Sequence, residues 1–163
     1  MHNEFIFIGY SDDNAYKVSR TSPESIQFIQ NHFPDKEVLG FNLIKDDDDP
    51  YKSVLHLDCA MQPVGKENII IYEEGFKNIN ELNKLKKIFG KKNMIQIDKN
   101  EMCQGFSNIF SISNDIVVSD STFIRLNSIL KNLNIKVEEV YYREISKFGG
   151  LFRCSTLPIN RSD

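Results

Sequence analysis

Residues 68–98 read NIIIYEEGFKNINELNKLKKIFGKKNMIQID. The run NIIIY (68–72) is continuously apolar and rich in β-branched side chains, as expected of a buried strand. The segment NINELNKLKKIFG (78–90) places Leu82, Leu85, Ile88 and Phe89 on one helical stripe, and Gly90 supplies the stop. MIQID (94–98) then returns to strand character. The order strand, helix, strand sets an α/β class.

The same order recurs on both sides. Upstream, EFIFIGY (4–10) reads as a strand, TSPESIQFIQNHF (21–33) as a helix and EVLGFNLI (37–44) as a strand. Ser22 suits the N-cap, Pro23 the first helical position, and Ile26, Ile29 and Phe33 fall on one face. Downstream, NIFSI (108–112) and DIVVS (115–119) suggest a hairpin turning at Ser113-Asn114. STFIRLNSILKNL (121–133) is a helix capped by Ser121, with Leu126, Ile129, Leu130 and Leu133 inward, and IKVEEVYY (135–142) is its strand. An extra strand precedes the theme in two places, VLHLD (54–58) and NIFSI. The chain therefore reads as about three ββαβ units. One such unit cannot bury both faces of its sheet, so neighbouring units must pack together.

The totals fit a single domain over 1–163. Of 163 residues, 40% are apolar and 26% charged, and 20 basic against 23 acidic residues give a formal charge of -3. That balance gives no support for nucleic-acid or membrane-surface partners. The apolar runs are far short of the roughly 20 residues that span a bilayer. The opening MHNEFIFIGY has no basic region before its apolar run, so a cytoplasmic location is expected. Asp46–Asp49 followed by Pro50 form a self-repelling solvated loop, and consecutive carboxylates lack the alternating spacing of a calcium loop. No glycine-rich phosphate loop or metal-ligand spacing is present, so neither a cofactor nor a metal is expected. Cys59, Cys103 and Cys154 are spread without a CxxC pair, which argues against a disulfide framework and a structural zinc site.

Chemistry concentrates in two stretches. If SVLHLDCA (53–60) is a strand, His56 and Asp58 share one face while Leu55, Leu57 and Cys59 share the other. In GGLFRCSTLP (149–158), two glycines permit close approach or positive φ beside Cys154. A thiol needs a base or a positive neighbour to act as a nucleophile at neutral pH. His2 lies in the terminus and His32 at the end of the first helix. Only His56 has a carboxylate beside it, so the constellation to expect is Cys154, His56 and Asp58.

The motifs HLD (56–58), QPVG (62–65) and GGLFRCSTLP, with Arg161 just after, resemble the guanidine-modifying superfamily. It comprises arginine deiminases, dimethylarginine dimethylaminohydrolases and amidinotransferases. Its fold is the pentein, an α/β propeller of five ββαβ units, and the repeat read above is similar. The resemblance implies that Cys154 attacks a guanidinium carbon and that His56 is the general acid/base. It also implies that Asp58 binds guanidinium nitrogens and that Arg20 binds the substrate α-carboxylate. The expected activity is hydrolysis of arginine or an arginine derivative, with amidino transfer, or a non-catalytic binding or assembly role on the same fold, as alternatives. Against the family's EGG[DN] motif, Glu4 falls on the last acidic position and the leading glutamate falls on Met1. The chain thus resembles the C-terminal three of five units, the catalytic domain's C-terminal portion. The remainder is expected from a longer polypeptide, a partner chain or self-association into a homo-oligomer.

Overall fold

The computed structural model describes residues 4–13, 15–17 and 19–159. Met1, His2 and Arg161 lie outside the described residues. Three units follow one another. The first pairs β1 (Phe5–Tyr10) with β2 (Glu37–Asn42) in parallel, crossing over through helix α1 (Glu24–His32). After a short helix α2 (Leu57–Ala60), the second unit pairs β3 (Met61–Val64) antiparallel with β4 (Asn68–Ile71). Helix α3 (Ile79–Phe89) then leads to β5 (Met94–Gln96), parallel to β4. Helix α4 (Lys99–Cys103) connects to the third unit, where β6 (Phe110–Ser111) lies antiparallel to β7 (Ile116–Asp120). Helix α5 (Ile124–Asn132) crosses to β8 (Lys136–Val140), parallel to β7, and the short helix α6 (Arg143–Ser146) follows. Two complete ββαβ units and one βαβ unit are present, on three separate sheets with no closed ladder among the described residues.

The strand expected at 54–58 is absent. The extra strand of the second unit is Met61–Val64, and residues 57–60 form one helical turn with His56 at its N-cap in extended conformation. The Lys45 ammonium donates to the carbonyls of Val54 and Leu55 at 2.7 Å each, and the Cys59 N–H bonds the His56 carbonyl at 3.0 Å to start the turn. His56 and Asp58 therefore do not share a strand face.

The helices follow their sequence patterns in α3 and depart from them at the ends of α1 and α5. In α3, Leu82, Leu85 and Phe89 are buried, Asn78 caps the N-terminus by accepting from the Asn80 N–H, and Gly90 ends the helix at φ 75°. In α5, Leu126 and Leu130 are buried, while Leu133 is the exposed C-cap rather than an inward residue. Ser121 does not cap this helix. Asp120 does the local work, accepting from the N–H and hydroxyl of Thr122. In α1, Pro23 takes the cap position already in helical angles, and no side chain caps the end. Phe33 closes α1 half-exposed instead of packing on its inner face.

One apolar core joins the units. Phe41 of β2, Ile69, Ile70 and Ile71 of β4, Leu85 of α3, Val117 of β7 and Leu126 and Leu130 of α5 belong to the same buried cluster. Burial of this surface is what holds three small sheets together. A polar tie reinforces the first junction. Glu81 of α3 accepts from the Tyr10 hydroxyl at 2.7 Å and from the Asn42 N–H at 2.6 Å. Burial and the Glu81 carboxylate push the Tyr10 phenol well above its usual range. Among the described residues no helix is long and apolar enough to cross a membrane.

Candidate active site

Cys154 sits on a single turn over 151–155, not on a strand. The turn closes through the Ser155 N–H to the Leu151 carbonyl at 3.0 Å, supported by the Ser155 hydroxyl to the same oxygen at 2.7 Å. Leu151 and Phe152 are buried and anchor it, with the Phe152 ring packed on Tyr142 at 4.4 Å between centroids and tilted by 31°. Cys154 itself is exposed.

The two preceding glycines have separate physical reasons. Both have positive φ, 93° at Gly149 and 82° at Gly150, a region costly for residues with a Cβ. At Gly149 an added Cβ would meet nothing within 4 Å. At Gly150 it would stand 2.6 Å from the Cys154 Cβ and 3.0 Å from its sulfur. Gly150→Ala is expected to push the sulfur out of place and slow thiol alkylation about tenfold or more, whereas Gly149→Ala should cost only about 1–2 kcal/mol of backbone strain. Alkylation rates and melting curves of the two variants, side by side, check this. Equal alkylation rates would remove the steric argument.

Asp58 meets Cys154 from α2. Its Oδ2 lies 3.6 Å from the Cys154 sulfur. Ser107 fixes the backbone beneath it, sharing one hydroxyl proton between the carbonyls of Asp58 and Cys59 at 2.8 and 2.7 Å. Asn108 joins the two sides. Its Nδ2 donates at 3.0 Å to the Asp58 carboxylate and at 3.0 Å to the Cys154 sulfur. Its Oδ1 accepts from the N–H groups of Leu151, Arg153 and Cys154 at 3.0, 3.1 and 3.3 Å. Neither Ser107 nor Asn108 stood out in the sequence. Only the run of small and polar residues in QGFSN (104–108) could have flagged them.

His56 and Arg20 lie elsewhere in the same region. Both line an open cleft of about 280 Å³, with Tyr10, Lys45 and Leu57 also in its wall. Cys154 and Asp58 are not among the lining residues. Of the expected site residues, the fold brings Cys154 to Asp58, while His56 and Arg20 line a common cleft. Among the described residues the sulfur's hydrogen bonds run to Asp58 and Asn108, and none runs to His56. Lys45 is half-buried, and desolvation lowers its ammonium below the usual range, with Arg20 pushing the same way. Cys59, by contrast, is unsuited to nucleophilic chemistry. Burial first, then the neighbouring Asp58 charge, push its thiol up to about 11.

Comparison with known proteins follows this geometry. The family model described as N,N dimethylarginine dimethylhydrolase, eukaryotic, matches residues 2–161. The Bacillus subtilis (strain 168) protein YkgA is 22% identical over 161 residues, covering 99% of this chain and 50% of that protein. Among solved structures, the N-terminal domain of ArgZ bound to product, an arginine dihydrolase from the ornithine–ammonia cycle in cyanobacteria, superposes with a TM-score of 0.77. That match has 22% identity and covers 96% of this chain and 51% of that one. SxtG, an amidinotransferase from Microseira wollei in the saxitoxin biosynthetic pathway, superposes at 0.73 with 18% identity, covering 98% and 45%. The chain spans about half the length of these relatives.

Proposed function

Because the chain belongs to the N,N-dimethylarginine dimethylhydrolase family of the guanidine-modifying superfamily, we propose that it carries the cysteine side of a guanidino C–N hydrolase. The three units then form part of a pentein propeller, with the remainder supplied by a further segment, a partner chain or a second copy. The observation that carries this reading is the approach of the Cys154 sulfur to the Asp58 carboxylate at 3.6 Å. A carboxylate there suits a planar guanidinium, and a cation bound to it would bring positive charge up to the attacking sulfur.

The chemistry then runs in two halves. The Cys154 thiolate attacks the guanidinium carbon and forms a C–S bond. The C–N bond breaks, and the leaving amine takes a proton from His56, leaving an amidino thioether on Cys154. Water gives one proton to His56 and adds its hydroxyl to the amidino carbon, the C–S bond breaks with sulfur departing as thiolate, and the hydroxyl's proton passes to the released amine, leaving a neutral ureido product. Arg20 and Lys45 make the cleft wall positive, suited to a substrate α-carboxylate. An amidinotransferase would share the first half and replace water by an amine.

A charged haloacetamidine tests the reading. 2-Chloroacetamidine should label Cys154 about tenfold or more faster than neutral chloroacetamide does, spare Cys103, and be slowed by arginine or dimethylarginine. Equal rates for the two reagents, with no protection by either guanidino compound, would sink the proposal.

A further inference from the structure

Asn108 touches both the thiol and the carboxylate, and the two ends of its amide have opposite hydrogen-bonding character. Three backbone N–H groups of the Cys154 turn converge on Oδ1. Turned over, the amide would set its NH2 against three donors, so its sense is fixed by the turn. Nδ2 is thereby committed to the other side, one N–H to Asp58 Oδ2 and one to the Cys154 sulfur, both at 3.0 Å. Asn108 is 3% exposed, so bulk water does not compete for these positions.

We propose that Asn108 is a positioning residue for the thiol reaction, holding the Cys154 sulfur as a hydrogen-bond acceptor beside Asp58. This rests on the reading of Cys154 as the reacting thiol. A hydrogen bond donated to sulfur strengthens as negative charge grows there. The same residue ties the turn to Asp58, so the sulfur's position and its electrostatic surroundings are set by one buried amide. Among the described residues, Asp58 of α2 faces the sulfur directly. Cys59, next in the chain to Asp58, interacts electrostatically with Cys154 but stays protonated because burial raises its thiol, and Lys45 acts on Cys59 in the opposite sense.

Asn108→Asp keeps an Oδ1 for the three N–H groups and sets a carboxylate oxygen against the sulfur where an N–H stood. In alkylation by iodoacetamide, the thiolate lone pair displaces iodide and forms the S–C bond, so the rate reports thiolate population and access. Mass spectrometry of the Cys154 peptide from the 163-residue chain should show alkylation at neutral pH slowed about tenfold in the variant. The pH profile should move about one unit upward, while exposed Cys103 keeps its natural rate and profile. A folded variant with an unchanged Cys154 profile overturns the proposal, as does equal slowing at Cys103. Should the variant fail to fold, the ¹⁵N-labelled natural chain decides. The Asn108 side-chain amide signals must move over the pH interval in which Cys154 alkylation switches on, and stationary signals overturn the proposal. Loss of amidine selectivity with an intact Asn108 effect would remove the guanidino reading alone.

Discussion

Cys154→Ser is expected to lower guanidino turnover by at least about a thousandfold, measured as ureido product formed from arginine or dimethylarginine. A serine hydroxyl ionises far less readily than a thiol, and among the described residues no imidazole bonds this position to compensate. Its polar neighbours are the Asp58 carboxylate, 3.6 Å from the sulfur, and the Asn108 amide, which donates rather than accepts. A shorter, harder oxygen would also stand farther from the guanidinium carbon. Cys59→Ser and Cys103→Ser should leave turnover within a few-fold, because Cys59 is held protonated by burial and Cys103 lies on α4. A serine chain that turns over within tenfold of the natural one would end the nucleophile assignment.

Asp120→Ala is expected to destabilise the fold by about 4 kcal/mol, read from urea unfolding. Asp120 is wholly buried and carries the third unit's polar connections. Its Oδ1 accepts from the N–H and hydroxyl of Thr122 at 2.8 and 2.6 Å. Its Oδ2 accepts from the Tyr142 N–H at 3.1 Å and pairs with the Arg143 guanidinium at 3.3 Å. Truncation takes the acceptor from Thr122 and the Tyr142 N–H and the counter-charge from Arg143, which keeps only the Gln104 carbonyl and the Phe123 ring. The loss should reach the site as well, because the Tyr142 ring packs on Phe152 in the Cys154 turn. Acid has a related effect. Burial pushes the Asp120 carboxyl up, but Thr122, the Tyr142 N–H and Arg143 outweigh it and hold the group below the usual carboxylate range. A depressed folded value contributes stability above the unfolded value of about 3.9, lost as pH falls through the folded value. Asp120→Asn should therefore show a flatter loss of stability on acidification than the natural chain. A variant as stable as the natural chain in urea would refute the role of the buried carboxylate.

What could be read from the sequence was what periodicity encodes. The buried stripe of α3, the Gly90 stop, the continuous apolar run of β4 and the hairpin of the third unit all follow from local pattern. The extra strand of the second unit was misplaced for a physical reason. Alternation in VLHLD imitates a half-buried strand, but the chain turns helical at Leu57, and the Lys45 ammonium binds the Val54 and Leu55 carbonyls just before it. Pro63 meanwhile weakened the true strand, Met61–Val64, in which Met61 and Val64 are buried. At the site, Cys154 and Asp58 could be singled out by residue type and motif, and their approach is geometric fact. Asn108 was opaque because an asparagine heading an apolar run carries no local sign of five hydrogen bonds to residues at least 43 positions away.

The Ser107–Asn108 pair also changes the entropy of assembling the site. Asp58 and Cys154 are 96 positions apart, and direct juxtaposition would require closing that whole loop. Ser107 and Asn108 divide the span into lengths of 49 and 46 residues, each closed by bonds of its own. Closure entropy grows slowly with length, only about 0.6 kcal/mol per doubling. The division therefore matters less for total stability than for rigidity. Each half is already drawn together by the sheets and core of the second and third units. An incoming cation then meets a sulfur and a carboxylate whose spacing is inherited from the fold, with little chain freedom left to lose on binding.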